Sequence, residues 1–217
     1  MKNIKDFVIT KHLISVLNDA GFDAFVVGGA VRDMILGMTP SDFDIVTDAP
    51  IETIKNLFPF PCHGKITQRF LIHAFKFEGA IFEIASFRDE GSIENRNDAP
   101  KPGNAQTDVL RRDFTCNSIM WNPLTDEILD PLDGIQDIHD KILRTTRDAD
   151  IVFAEDPVRI FRAIRFQRKL GFSFFGFEIT NEMIRDAMAS QNADRCRNEI
   201  AKITKLPAGI CRKGEQQ

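Results

Sequence analysis

The sequence predicts an α+β fold: a mixed β-sheet with flanking helices over residues 1–148, followed by a small all-helical unit over residues 149–217. Three observations carry this. Apolar runs such as "FDAFVV", "FLIHAFKF" and "AIFEIASF" have strand length and are rich in aromatic and aliphatic residues. Stretches with apolar residues at helical spacing lie between them. After "TTRDADIVF" the character turns helical, with "EDPVRIFRAIRFQRKLG", "TNEMIRDAMA" and "ADRCRNEIAKIT".

In chain order, "IKDFVITKHLISVLNDAG" is an amphipathic helix stopped by Gly21. "FDAFVV" is a buried strand that ends at Gly28-Gly29. "AVRDMIL" is a short helix closed by Gly37, "DFDIVT" a second strand and "IETIKNLF" a helix. Glu78-Gly79 joins two further strands as a hairpin. Residues 89–108 turn to Gly, Asn, Pro and charge and read as one long loop, a length that is usually functional or disordered. "FTCNSIMW" begins another ordered segment, "DEILDPLDG" is strand and turn, and "IQDIHDKIL" is a helix or an extended segment.

With 217 residues and 43% hydrophobic content, the chain can bury a sizeable core. No stretch approaches the roughly 20 apolar residues of a membrane span. The N-terminal segment carries Asp6, Asp19 and Asp23 and lacks the pattern of a secretory signal, so a cytoplasmic protein without a membrane partner is expected. The four cysteines are dispersed and form no C-x-x-C pair, as expected of reduced thiols. A net charge of −4 argues against a surface coated in positive charge for nonspecific nucleic-acid binding, but leaves room for a local basic groove. There are 19 phenylalanines, one tryptophan and no tyrosine, so the core is Phe-rich.

Asp42 and Asp44 stand two apart in an extended segment, where alternate residues share a face and their Cα atoms lie roughly 6.5–7 Å apart. Paired carboxylates suit a hard cation such as Mg²⁺, which takes one or two of them together with substrate phosphates. Glu83, set in the apolar "IFEIA", is a third acid if its strand lies beside the first. A solvated sheet face accounts for Asp42 and Asp44 equally well. Gly28-Gly29, between a strand and a short helix, lets backbone N–H groups approach an anion, although an ordinary tight turn looks the same. Arg32 can face phosphates or pair with Asp33.

In "EDPVRIFRAIRFQRKLG", Asp156 before Pro157 fits a helix start, and Asp156 and Arg159 share one turn. The pair can read the edge of a base, or simply be a cap with an intrahelical ion pair. Arg162, Arg165 and Arg168 continue a basic stripe suited to phosphates or to solvent. Arg111, Arg112 and Asp113 precede an apolar segment, with Asn117 one turn later; local capping explains them as well.

Taken in order, "GGAVRD", "DFDIVT", "FEIASFR", "RRDFTCNSI", "DPLDG" and "EDPVRIFRAIRFQRKLGF" resemble the class II nucleotidyltransferases, the family of bacterial-type CCA-adding enzymes and poly(A) polymerases. A weaker echo continues in "ADRCRNEIAKI". The resemblance covers about residues 20–205. It implies a polymerase-beta-like nucleotidyltransferase head followed by a helical neck. Asp42 and Asp44 would hold two catalytic Mg²⁺ ions, with Glu83 the third acid. Gly28, Gly29 and Arg32 would hold the triphosphate. Arg111, Arg112, Asp113 and Asn117 would bind its sugar and phosphates; Arg162 and Arg165, from the basic stripe, are further nucleotide-binding candidates. Asp130 and Gly134 match a motif that couples head and neck, and Asp156 and Arg159 would pair with the base of ATP or CTP.

The reaction implied is addition of CCA, or part of it, to tRNA 3′ ends. Poly(A) synthesis on RNA 3′ ends is the nearest alternative, and a non-catalytic nucleotide- or RNA-binding module is another. A glycosyltransferase using D-x-D leaves "RRDFT" and "EDPVR" unexplained. Cys116 stands where the family usually has an aliphatic residue, Asp194 where Glu is usual, and "HGKITQRFLIHAF" matches the poly(A) polymerase segment only in part. Family members usually continue into body and tail domains that grip tRNA, so a short variant, a fragment or a partner chain supplying that grip is expected.

Overall fold

A computed structural model of the chain describes residues 2–63, 71–89 and 101–206. Much of the expected 89–108 loop, the middle of "HGKITQRFLIHAF" and the tail after residue 206 lie outside them.

The main sheet has six strands in the order β3-β4-β2-β1-β5-β6. These are β1 (Ala24–Val27), β2 (Asp44–Thr47), β3 (Ile72–Phe77), β4 (Ala80–Ser86), β5 (Met120–Trp121) and β6 (Ile128–Leu129). β2 and β4 run parallel and the other neighbours antiparallel, which makes the sheet mixed. β1 and most of β2 are buried because both faces of the sheet are covered. Val26 and Ile45 cluster with Leu13, Ile14 and Leu17 of α1 (Lys2–Asp19). Phe25, Val27 and Val46 cluster with Phe87, Val109 and Met120 on the opposite face. Period-2 alternation therefore runs through these strands, hidden in the sequence because both alternating sets are apolar.

Shorter helices fill the connections: α2 (Gly29–Ile35), α3 (Ile51–Leu57), α4 (Ala105–Leu110) and α5 (Gly134–His139). The later helices are α6 (Ala149–Glu155), α7 (Val158–Leu170), α8 (Asn181–Ala189) and α9 (Ala193–Thr204). α7 ends at Gly171 in the left-handed conformation, a common helix stop. Phe114 sets its ring edge-on to Phe166 of α7, 5.8 Å between centroids, and both belong to one core with Ile84, Phe153 and Cys196. Residues before and after position 148 thus share a continuous core.

The structure differs from the sequence expectation in three places. The loop expected over 89–108 gives way at its end to α4, whose start is closed by a capping box: Asn104 accepts from the Thr107 N–H, and Thr107 accepts from the Asn104 N–H. The segment after 148 is not wholly helical, because β8 (Ser173–Phe175) pairs in parallel with β7 (Ile142–Arg144). Asp42 precedes β2, which begins at Asp44, yet exposure still alternates: Asp42 and Asp44 out, Phe43 in.

Candidate active site

The carboxylates meet at one end of the sheet. The parallel pairing of β2 and β4 sets Asp44 directly beside Glu83. Antiparallel pairing sets Val27 beside Asp44, so the Gly28 turn follows at the same end. Gly28 has φ 77° and ψ −135°, a conformation reserved in practice for glycine. Asp42, Asp44 and Glu83 all keep solvent-facing surface, and Ser41 Oγ donates to Asp42 at 2.7 Å. The Asp44 carboxyl is nevertheless raised to about 6. Desolvation is the largest cause; the charges of Asp42 and Glu83 add to it, while Arg112 and Arg162 oppose it. Two acids and two arginines therefore act on the charge of Asp44.

An acid crowded by two others and pushed up in this way forms a site that a cation would relieve. All the donors are hard oxygens. Among the described residues, no group of three or more His, Cys, Asp or Glu is placed to hold a metal ion. Mg²⁺ takes one or two protein carboxylates and fills its remaining positions with water and phosphate oxygens. Asp42 and Asp44 are the residues that could offer carboxylates to such an ion.

Behind the glycine turn lies a buried polar chain. Arg32, only 3% exposed, packs its guanidinium 3.5 Å from where a Cβ on Gly29 would sit. It pairs with Asp33, donates to Asn117 Oδ1 at 2.6 Å and lies over the Phe166 ring at 4.9 Å. Asn117 Nδ2 donates to Asp113 Oδ1 at 3.0 Å, and Arg162 Nε of α7 donates to Asp113 Oδ2 at 2.6 Å. Arg162 holds the buried Asp113 carboxyl below the usual range against the opposing effect of desolvation. Arg32, Asn117, Asp113 and Arg162 thus form one network from the turn to α7. Cys116, between them, is fully buried, and burial pushes its thiol up to about 12, so it fills an apolar slot as an unreactive thiol.

Arg111 and Arg112 both pair with Asp108 of α4. Thr146 Oγ1 donates to the Leu110 and Arg112 carbonyls, and Arg147 Nε to the Leu110 carbonyl, which pins this loop against the strand that leads to α6. Asp130 accepts from the N–H groups of Gly134 and Ile135, both at 2.8 Å, and so caps α5. Gly134 has no room for a side chain: a Cβ there would lie 2.3 Å from the Thr115 carbonyl oxygen.

In the helical segment, Asp156 and Arg159 do not pair with each other. Arg195 of α9 donates to both Asp156 oxygens, at 3.1 and 2.8 Å, and Asp156 also accepts from the Val158 N–H. Arg159 is buried and donates to Glu155, to the Val152 carbonyl and to the Arg111 carbonyl. Arg165 pairs with Glu199 of α9 at 2.6 Å. Sequence reasoning missed Asp108, Glu155, Arg195 and Glu199. The first was visible as an acid three and four residues before two arginines, which lie just past the end of α4; Arg195 and Glu199 act across the fold, where no local spacing shows them.

A mixed sheet that carries carboxylates beside a glycine turn and a basic loop is the architecture of a nucleotidyltransferase head. The poly A polymerase head domain family model matches residues 24–144, and the chain belongs to that family. It is 36% identical over 171 residues to poly(A) polymerase I of Haemophilus influenzae, across 73% of this chain and 38% of that protein. It is 33% identical over 208 residues to the CCA-adding enzyme of Geobacillus thermodenitrificans, across 90% of this chain and 48% of that protein. The crystal structure of the Bacillus stearothermophilus CCA-adding enzyme in complex with CTP superposes with a TM-score of 0.78 at 29% identity, covering 95% of this chain and 50% of that one. The chain spans about half or less of the length of the curated relatives it matches. No helix among the described residues is long and apolar enough to cross a membrane.

Proposed function

We propose that the chain forms the head (1–148) and neck (149–217) of a Mg²⁺-dependent, template-independent RNA 3′-terminal nucleotidyltransferase. It adds CCA, or part of it, to tRNA 3′ ends from CTP and ATP. The observation that carries this is the placing of Asp44 beside Glu83, with Asp42 two residues before it, at the sheet end where the Gly28 turn lies.

The RNA 3′-hydroxyl attacks the α-phosphate of the nucleotide. A new phosphodiester bond forms, the α–β bridge breaks, pyrophosphate leaves and the hydroxyl proton passes to solvent. Asp42 and Asp44 would hold two Mg²⁺ ions, which would supply charge stabilisation for the attacking and leaving oxygens when bound. The remaining work is positioning, as is general for phosphoryl transfer. Gly28 and Gly29 offer backbone N–H groups to the triphosphate, while Arg32 stands behind the turn with its charge. Arg111, Arg112, Asp113 and Asn117 flank the nucleotide sugar and phosphates. Asp156 and Arg159 read the base, and Arg162 and Arg165 line the neck side.

CCA addition is favoured over poly(A) synthesis because the similarity to a CCA-adding enzyme extends over 90% of the chain, against 73% for the poly(A) polymerase. Poly(A) synthesis remains the second reading, given the 36% identity to the latter. A non-catalytic binding module has no chemical need for both Asp42 and Asp44.

Nucleotide selectivity tests the reading. CTP and ATP are expected to bind about tenfold or more tighter than UTP and GTP, the discrimination one hydrogen-bonded base contact supplies. Asp156→Ala should shrink that spread to about threefold while Mg²⁺ binding persists. Equal binding of all four nucleotides to the wild-type chain contradicts base reading by Asp156 and Arg159; strong preference for ATP alone favours poly(A) synthesis.

A further inference from the structure

A thiol and an imidazole meet on the sheet face opposite Glu83. Cys62 stands beside Phe75 of β3 in an isolated antiparallel bridge, and Phe75 pairs with Phe82 of β4. Paired residues share a face, so Cys62, Phe75 and Phe82 lie on one side of the sheet. Glu83, the next residue of β4, lies on the other. His73, two residues before Phe75, returns to the face of Cys62, and its Nδ1 is 3.5 Å from the Cys62 Sγ.

The roles within this pair follow from the partner on the far side of the ring. His73 is 1% exposed, and its Nε2 lies 2.8 Å from the Phe58 carbonyl oxygen. A carbonyl only accepts, so Nε2 carries the hydrogen, and the neutral ring leaves the Nδ1 lone pair for the thiol. The Phe75 ring, its centroid 5.1 Å away, packs against the imidazole. Nucleophile, base and a group that orients the base thus stand in series, the arrangement that activates a thiol. Access completes it: Cys62 is exposed, whereas Cys116 and Cys196 are buried. Reactive thiols combine a suitable neighbour with exposure, and enclosed ones are inert.

We propose that Cys62 is a modification site: a thiol, assisted by His73, that exchanges with low-molecular-weight disulfides. As Sγ attacks one sulfur of the small disulfide, its proton passes to His73 Nδ1. A new S–S bond joins Cys62 to that sulfur, the old S–S bond breaks, and the departing thiolate takes up the proton through solvent. One thiol and one disulfide become one thiol and one mixed disulfide, so no further oxidant is needed. Neither Cys62 nor His73 takes part in the proposed nucleotide transfer, so the exchange and the transfer stand independently.

The test is the rate at which oxidised glutathione modifies Cys62 at neutral pH, read by peptide mass spectrometry, which separates Cys62 from the other cysteines. The reference is the same residue in the whole chain unfolded in urea. Folded wild type is expected to react about tenfold or more faster, within the reach of a positioned base. His73→Gln removes the base yet keeps an amide N–H for the Phe58 carbonyl, and should bring the folded rate to within about threefold of the unfolded one. Melting curves establish that the variant is folded. Should it fail to fold, the ratio of folded to unfolded rate in wild type carries the test. A folded rate equal to or below the unfolded one overturns the proposal. So does a folded His73→Gln variant that reacts within about twofold of wild type, since exposure alone would then account for the rate.

Discussion

Asp44→Ala is expected to lower nucleotide transfer about a thousandfold, with Asp42→Ala close behind, because on the proposed reading each removes a carboxylate that holds the catalytic cation. Charge stabilisation by a bound metal is worth several kcal/mol, and about 4 kcal/mol corresponds to a thousandfold. The fold should not suffer. Asp44 holds its proton up to about 6 against an ordinary value of 3.8, so above that pH the folded state carries an ionised group that it disfavours relative to the unfolded chain. The metal-free protein therefore gains stability as pH falls from above 6 towards 3.8. Alanine at position 44 removes that dependence and leaves the melting temperature at pH 8 equal or higher. Activity moves the other way. Protonation of Asp44 opposes metal binding, so transfer at low Mg²⁺ should fall as pH drops through about 6. Saturating Mg²⁺ should shift this limb to lower pH, since metal and proton compete for one carboxylate. Asp44→Ala within tenfold of wild-type activity contradicts the assignment, as does an acid limb that ignores Mg²⁺.

Arg162→Ala is expected to cost about 2–3 kcal/mol of stability, as removing one partner of a buried ion pair leaves an uncompensated charge. Asp113 is the partner, its side chain 8% exposed and that of Arg162 34%. The exposure of Arg162 places the loss toward the lower end of the range for such pairs. In the wild-type protein Asp113 is held below its ordinary value. Its stabilisation is complete above the unfolded carboxylate value and is lost as pH falls through the folded one. Without Arg162 the Asp113 value rises, so the gap between variant and wild type should narrow in acid. Arg162→Ala/Asp113→Asn should be more stable than the sum of the single changes, because asparagine carries no buried charge. Chemical denaturation of the four proteins at neutral and acidic pH measures this. A loss below about 0.5 kcal/mol would mark the pair as a surface contact of small worth.

The features visible in the sequence are those set by near neighbours along the chain. The strands from Ala24 to Val27 and Asp44 to Thr47 announce themselves as short apolar runs beside glycine or a turn. The acid pair is visible because strand periodicity alone puts Asp42 and Asp44 on one face. Glu83 required one assumption, that its strand lies beside β2, and the pairing register meets it. Less visible were elements whose stability comes from tertiary contacts. The six residues of α4 are too few for a periodic signal, and β8 exists because β7 lies alongside it. The partners of Arg32 and Asp156 were beyond local reasoning for the same cause: Asn117 is 85 residues from Arg32, and Arg195 is 39 from Asp156.

The measurement that tests the central claim most directly is extension of a tRNA lacking its terminal CCA by the purified chain with Mg²⁺, labelled CTP and ATP. The account predicts addition of C, C and A, or a defined part of that sequence, that then stops, with no product in EDTA. A long adenylate ladder would instead make the chain a poly(A)-synthesising enzyme. No extension of any RNA, from a folded chain that binds Mg²⁺ and nucleotide, would contradict the claim that it catalyses transfer by itself.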